Sequence, residues 1–456
     1  MSEKRQDNKM GYMPIPRLLL GMSWPAILSM LIQSLYNIVD SLFIAQTGEA
    51  GLTAITLVFP VQMLMVALGV GTGIGINSLI SRRLGARKFE EADKAASIGF
   101  KLSFLNYIIF AVFGVFFAHP FMALFSENEH IIAMGSVYLR IITLGCIFMM
   151  IQMTCEKILQ STGNMIIPMM TNIIGAVTNI ILDPILIFGI GPAPRIGMTG
   201  AAIATVIGQA LAMSVVVNLL FKKNHDVKID LKQKMEKDTL AEIYAVGGPS
   251  IVMQAIASVL NLGMNGILAG FSDTAVAIMG VYGRMQSFIF MPVFGINQGT
   301  TPVFGYNYGA RNKKRLTEAF KFGLTIAVII MGSGLVLFQV MPQVFLSWFN
   351  ASPEMMRLGI PAFRAISICF LPAAFGIICS GLCNATNHGM ISLLSSLIRQ
   401  LAGTLPLAFL FATLGGLTMV WWCFPAAEII GTAYWIVMLR RVYKTDINRL
   451  DDPDAA

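Results

Sequence analysis

The chain has 456 residues, of which 56% are hydrophobic and only 12% charged, with a mean hydropathy of +0.72. Soluble domains carry about 25% charged residues, so this balance excludes a soluble globular protein and points to a polytopic membrane protein. The net charge of +8 needs no nucleic-acid partner, because basic loops on one side of a bilayer account for it.

The first ten or so residues are polar, and the apolar run that follows reaches Ala45. It is too long for a signal-peptide core and lacks a cleavage site, so it reads as an uncleaved first span. Twelve apolar spans follow one another at about 17–45, 52–80, 95–118, 132–155, 167–190, 199–221, 241–270, 276–305, 318–341, 356–381, 391–413 and 417–439. They lack the alternation of barrel strands, which leaves helices as the spanning element. Lys and Arg cluster in the N-terminus, in the even loops (Arg82, Arg83, Arg87; Lys222–Lys237; Arg311–Arg315) and after Leu439. The odd loops carry Glu49, Glu127, Glu129, Asp273 and Glu354. Positive charge on the inner side therefore predicts cytoplasmic termini.

The basic sixth loop divides the spans six and six. Pro25/Pro249, Asn37/Asn261, Gly75/Gly299 and Gly85-Ala86-Arg87/Gly309-Ala310-Arg311 are each separated by 224 residues. Several matches at one offset indicate a duplication. Because six is even, both halves enter the membrane the same way, as parallel repeats with a pathway between them. The expected fold is an all-α polytopic membrane protein of two pseudo-symmetric six-helix bundles. Its expected divisions are a tail at 1–16, an N-lobe at 17–221, a linker at 222–240, a C-lobe at 241–440 and a tail at 441–456.

The chemistry centres on Thr171–Ile190, an apolar run carrying Asp183 before Pro184, with Asn179 four residues earlier on the same helical face. An acid in hydrocarbon is costly and marks ion or proton pathways. The first span carries Gln33, Tyr36, Asn37 and Asp40 as one polar stripe. Asp40 and Asp183 fall in the outer halves of parallel spans, so they are expected at one depth. With Asn37 and Asn179 they would hold a proton, or Na⁺ through oxygen ligands at Asp40, Asn179 and Asp183. The missing N–H of Pro184 leaves the Ile180 carbonyl without its helical partner. The second half has Met264 and Leu407 at the matching positions, so coupling is expected in the first half alone. Arg284, Arg364 and Arg399 are expected to pair with Glu428 or with helix-end carbonyls. Gln254 and Asn297 are candidates for the cavity wall.

Gly69–Gly75 contains overlapping GxxxG spacings and no phosphate-loop lysine, which signals close helix packing. No ATP-binding motif, CxxC pair or histidine metal spacing is present. The expected cofactor is none beyond a coupling proton or Na⁺, and no enzymatic constellation such as HExxH or GxSxG appears.

Ser23-Trp24-Pro25, Gly85-Ala86-Arg87, Gly163-Asn164, Asn179–Pro184 and Gly305–Ala310 resemble the multidrug and toxic compound extrusion (MATE) family, in its MepA-like and DinF-like bacterial branches, over residues 17–440. The resemblance implies cation-coupled antiport of drug-like small molecules by alternating access, in a bacterial inner membrane. It assigns coupling to Asp40, Asn179 and Asp183, with Thr205 a weaker match. It places Gln33 and Asn37 at the drug cavity and a bending role at Pro25. Gln254 stands where another branch has a glutamate. The expected partners are small-molecule substrates and the lipid bilayer, with the chain as a monomer. A flippase for lipid-linked oligosaccharides and a non-transporting receptor or scaffold are the competing readings.

Overall fold

The computed structural model describes residues 8–46, 48–190, 195–223 and 226–451. Among them the regular structure is helical. The principal helices are α1 (Ile15–Ala45), α2 (Glu49–Gly85), α3 (Phe89–Phe116), α4 (Glu129–Ser161), α5 (Ile166–Phe188) and α6 (Gly197–Lys223). The second half repeats them as α7 (Lys237–Ala269), α8 (Asp273–Gly309), α9 (Lys313–Val340), α10 (Pro353–Ser367 and Phe370–Ala385), α11 (Gly389–Val420) and α12 (Cys423–Val442). Ten of these are long and apolar enough to cross a membrane, eleven if the two pieces of α10 count as one span. The twelfth predicted span is α12, 20 residues long and carrying Glu428.

Three details depart from the predicted spans. First, α10 bends by 44° between its two pieces. Second, α11 widens to a π-helix over Leu397–Thr404 and takes a left-handed turn at Gly416, φ 64°. Third, α11 runs on to Val420, beyond the predicted boundary at 413. The stretch between α11 and α12 is apolar throughout, so composition marks no break there. Both α1 and α5 continue through Pro25 and Pro184 without interruption.

Glycines set how closely the two halves meet. A Cβ on Gly85 would strike the Tyr306 carbonyl, and one on Gly309 would strike the Arg82 carbonyl. Likewise Gly75 packs on the α7 backbone at Ile243 and Gly247, and a Cβ on Gly299 would stand 2.9–3.0 Å from Ser23 of α1. Gly71 with Ile251 is matched by Gly295 with Ile27. Each pair maps onto the other by the same 224-residue offset, so the duplication is visible as a pseudo-twofold contact. Small residues permit such backbone approach in a membrane, where packing rather than hydrophobicity drives association.

At the basic end the halves are also tied by side chains. Ser78 Oγ donates to the Asn384 carbonyl at 2.6 Å, Arg82 Nη2 to Asn387 Oδ1 at 3.2 Å, and Arg83 Nη2 to Glu242 Oε1 at 3.0 Å. The N-terminal segment bridges both lobes. Asn8 Nδ2 donates to the Thr162 carbonyl at 2.9 Å, while Arg315 Nη2 donates to the carbonyls of Met10 at 3.1 Å and Met13 at 2.7 Å. The linker folds back on α3, with Asp93 accepting from Lys228 N at 2.7 Å and Ser97 Oγ from Asp230 N at 2.9 Å.

Candidate functional site

The polar stripe of α1 meets α5 near the end of the bundle opposite the basic loops. Gly175 and Gly208 let α5 and α6 approach, with Gly175 O only 2.9 Å from a Cβ built on Gly208. That approach brings Asn179 and Thr205 within reach. With its amide assigned so that both ends are satisfied, Asn179 donates to Asp183 Oδ2 at 2.6 Å, and its oxygen accepts from Thr205 N at 3.1 Å and Oγ1 at 3.2 Å. Asn179 is 2% exposed and Asp183 0%.

From α1, the Asp40 carboxyl hydrogen-bonds that of Asp183. Two carboxyl groups this close in an apolar setting repel when both are charged, so the pair favours holding a proton. Asp40 Oδ1 is buried and has no hydrogen-bond partner among the described residues. The Tyr36 hydroxyl reaches Thr205, and Phe43 of α1 packs on Phe188 of α5 at 6.3 Å, beyond the two acids. The structure thus brings Tyr36, Asp40, Asn179, Asp183 and Thr205 into one cluster. The side chain of Asn37 lies outside the described residues.

Two members of the neighbourhood have no signal in the sequence reading. Tyr138 of α4, 2% exposed, hydrogen-bonds Gln62 of α2 and lies in the field of Asp40, Tyr36 and Asp183. Neither has an acid or an amide within four residues of it. Only the fold places them beside the acids.

A second buried acid was also missed. Glu156 of α4 is 8% exposed and accepts from Gln152 Nε2 at 2.9 Å, Thr171 Oγ1 at 2.9 Å and Asn172 Nδ2 at 3.5 Å. By position it resembles a loop charge beside Lys157. The available signal was Gln152, one helical turn earlier on the same face. Thr171 and Asp183 both lie on α5, so the two acidic clusters stand about 18 Å apart along that helix.

The other candidates lie apart. Gln33 and Gln254 are exposed on α1 and α7. Asn297 Oδ1 is buried without a hydrogen-bond partner among the described residues, pressed toward Gly381 of α10. Of the second-half arginines, Arg399 pairs with Glu428 and Arg364 Nε caps the Gln339 carbonyl at 3.1 Å. Arg284 lies 6.0 Å from the Phe349 ring centroid. All six cysteines are buried free thiols.

The MatE family model matches residues 25–185 and again 249–431, once in each half. The chain is 27% identical over 425 residues to a FAD transporter of Shewanella oneidensis, covering 91% of this chain and 92% of that protein. It is 26% identical over 416 residues to the multidrug export protein MepA of Staphylococcus haemolyticus, covering 91% of each. Among solved structures, an outward-facing multidrug resistance MATE family transporter of the MOP superfamily superposes with a TM-score of 0.90. That match has 25% identity and covers 97% of this chain and 100% of the other. With one family model matching in each half, the chain belongs to the MatE family of membrane transporters.

Proposed function

We propose that this chain is a multidrug efflux antiporter that exchanges organic, often cationic, compounds for protons. The observation that carries the reading is the hydrogen-bonded Asp40–Asp183 pair, buried within the first half beside Asn179 and Thr205. Two acids this close in an apolar lobe cannot both keep their charge, and a site that gains and loses a proton can exchange it for cargo.

The basic end is read as cytoplasmic, with both termini there. Its closure by Gly85, Gly309 and Arg83 supports an outward-facing arrangement. Protonation of the pair from outside would neutralise it, lower its affinity for a cationic compound and favour release. Reopening inward would return the proton. Coupling needs only that drug and proton bind the two arrangements with different affinities.

The test is efflux of ethidium from proteoliposomes under an imposed pH gradient and, separately, an imposed Na⁺ gradient. Efflux driven by the pH gradient alone is the expected result. Efflux driven only by Na⁺ overturns the proton reading, and no efflux under either overturns antiport. A second reading, export of a flavin nucleotide, is favoured by the similarity to the FAD transporter. Its test is FAD efflux from the same vesicles.

A further inference from the structure

The second half lacks acids at the positions of Asp40 and Asp183, yet it buries one of its own. Glu428 on α12 is 7% exposed, and Arg399 Nη1 on α11 donates to its Oε2 at 3.2 Å. The residues 224 positions earlier are Gly175 and Ala204. Gly175 precedes Asn179 by one helical turn, and Ala204 adjoins Thr205. The ion pair therefore joins α11 to α12 within a turn of where Asn179 and Thr205 join α5 to α6.

The local backbone is shaped around this pair. The π-helical stretch of α11 includes Arg399, whose carbonyl accepts from Thr404 Oγ1 at 2.9 Å. Such wide turns concentrate at functional positions. The Arg399 stem runs along Gly431, 3.4–3.5 Å from where a Cβ would stand, and Gly403 packs on Ala427. Among the described residues, Tyr282 from α8 and Cys369 from α10 also lie in the field of Glu428. Arg399 is the cation of the set. Thr432 Oγ1, one turn beyond Glu428, is buried with no hydrogen-bond partner among the described residues.

A carboxylate in an apolar lobe needs a counter-charge. For Asp40 and Asp183 that charge comes from solution and can leave again. For Glu428 it is covalently part of the chain. A cation that cannot leave cannot carry exchange. We propose that Arg399 is a resident counter-cation that fills the Glu428 site and so confines ion coupling to the first half. The proposal rests on the antiport reading. It makes Arg399 a residue that sets coupling stoichiometry through Glu428, rather than one that touches cargo.

Two measurements test it on the full-length chain. In detergent at pH 7, proton-uptake measurements should show R399Q holding one more proton per chain than R399Q/E428Q, while wild type and E428Q hold the same number. In proteoliposomes, with ethidium as cargo, the zero-flux gradient gives the number of protons exchanged per molecule. R399Q should raise that ratio, and R399Q/E428Q should restore the wild-type value. Equal proton uptake by R399Q and R399Q/E428Q overturns the proposal, as does an unchanged ratio in R399Q. If R399Q fails to fold, R399Q/E428Q decides: a wild-type ratio supports the proposal and lost coupling overturns it. A wild-type chain that exchanges no proton for ethidium overturns the antiport reading, and the detergent measurement then decides whether Arg399 fills the Glu428 site.

Discussion

At the scale of single residues, the acids differ in what satisfies them. Asp183 takes a hydrogen bond from Asn179 at 2.6 Å and shares another with Asp40, whose Oδ1 is left without a partner among the described residues. Substituting Asp183→Asn or Asp40→Asn keeps the volume and removes the exchangeable proton. Either variant should reach the membrane and bind ethidium more weakly, and should abolish ethidium-driven proton movement in vesicles; full coupling in both would exclude the pair as the coupling site. Glu156 is held by three donors instead. Thr171→Val removes one of them, at 2.9 Å, while leaving the carboxylate buried. The expected loss is about 1–3 kcal/mol, read as a lowered midpoint of thermal unfolding in detergent. Glu156→Gln should lose less than Thr171→Val, because the amide oxygen can still accept from Gln152 and Thr171 and no carboxylate charge is left to bury. The pairing of Asp40 with Asp183 was legible in the sequence because both are lone acids in long apolar runs at matched depth. Glu156 was not, because its neighbour Lys157 and its nearness to a span end disguise a buried group as a loop charge.

At the scale of helices, the sequence reading located the spans well where polar loops punctuate them. It did worse in the last three. The bend in α10 and the π-helical stretch in α11 arise from packing, which an apolar run does not record. Gly416 lies inside α11 with φ 64°, where Gly415-Gly416 would otherwise read as the turn ending the span. The repeated glycines carry more information. Gly75, Gly85, Gly299 and Gly309 sit where a side chain would meet another helix, so their recurrence at one offset marks the contact as well as the duplication. Gly85→Ala or Gly309→Ala should hold the basic ends of α2 and α8 apart. Overpacking of this kind costs about 1–3 kcal/mol, enough to shift a two-state equilibrium about 5- to 150-fold. Cysteines introduced at the basic end should react faster with a membrane-impermeant maleimide in either variant. Unchanged rates would show that the contact does not set the closed state.

At the scale of the whole molecule, the question is which contacts hold the two halves shut. Arg83 is the informative residue, since it reaches across to Glu242 Oε1 at 3.0 Å but also donates to the Glu91 carbonyl at 3.0 Å within its own half. Its second carboxylate contact, with Glu91 Oε2 at 3.6 Å, also stays within the first half. Parting the halves would therefore break the bond to Glu242 and leave Arg83 satisfied. Glu242 is 43% exposed, so solvent screens the pair and its worth is about 0–1 kcal/mol. The glycine contacts set backbone against backbone, and their disruption is expected to cost more. The closed arrangement should accordingly depend on packing rather than on ion pairs. Glu242→Gln should raise maleimide reactivity at the basic end less than about 5-fold, a shift of under about 1 kcal/mol. Raising ionic strength should produce no larger change in the wild-type chain, because salt screens only the exposed pairs. Combining Glu242→Gln with Gly85→Ala should give little more than Gly85→Ala alone. If salt or Glu242→Gln opens the basic end as far as the glycine variant does, electrostatic bridging, and not the pseudo-twofold glycine contact, is what closes the molecule.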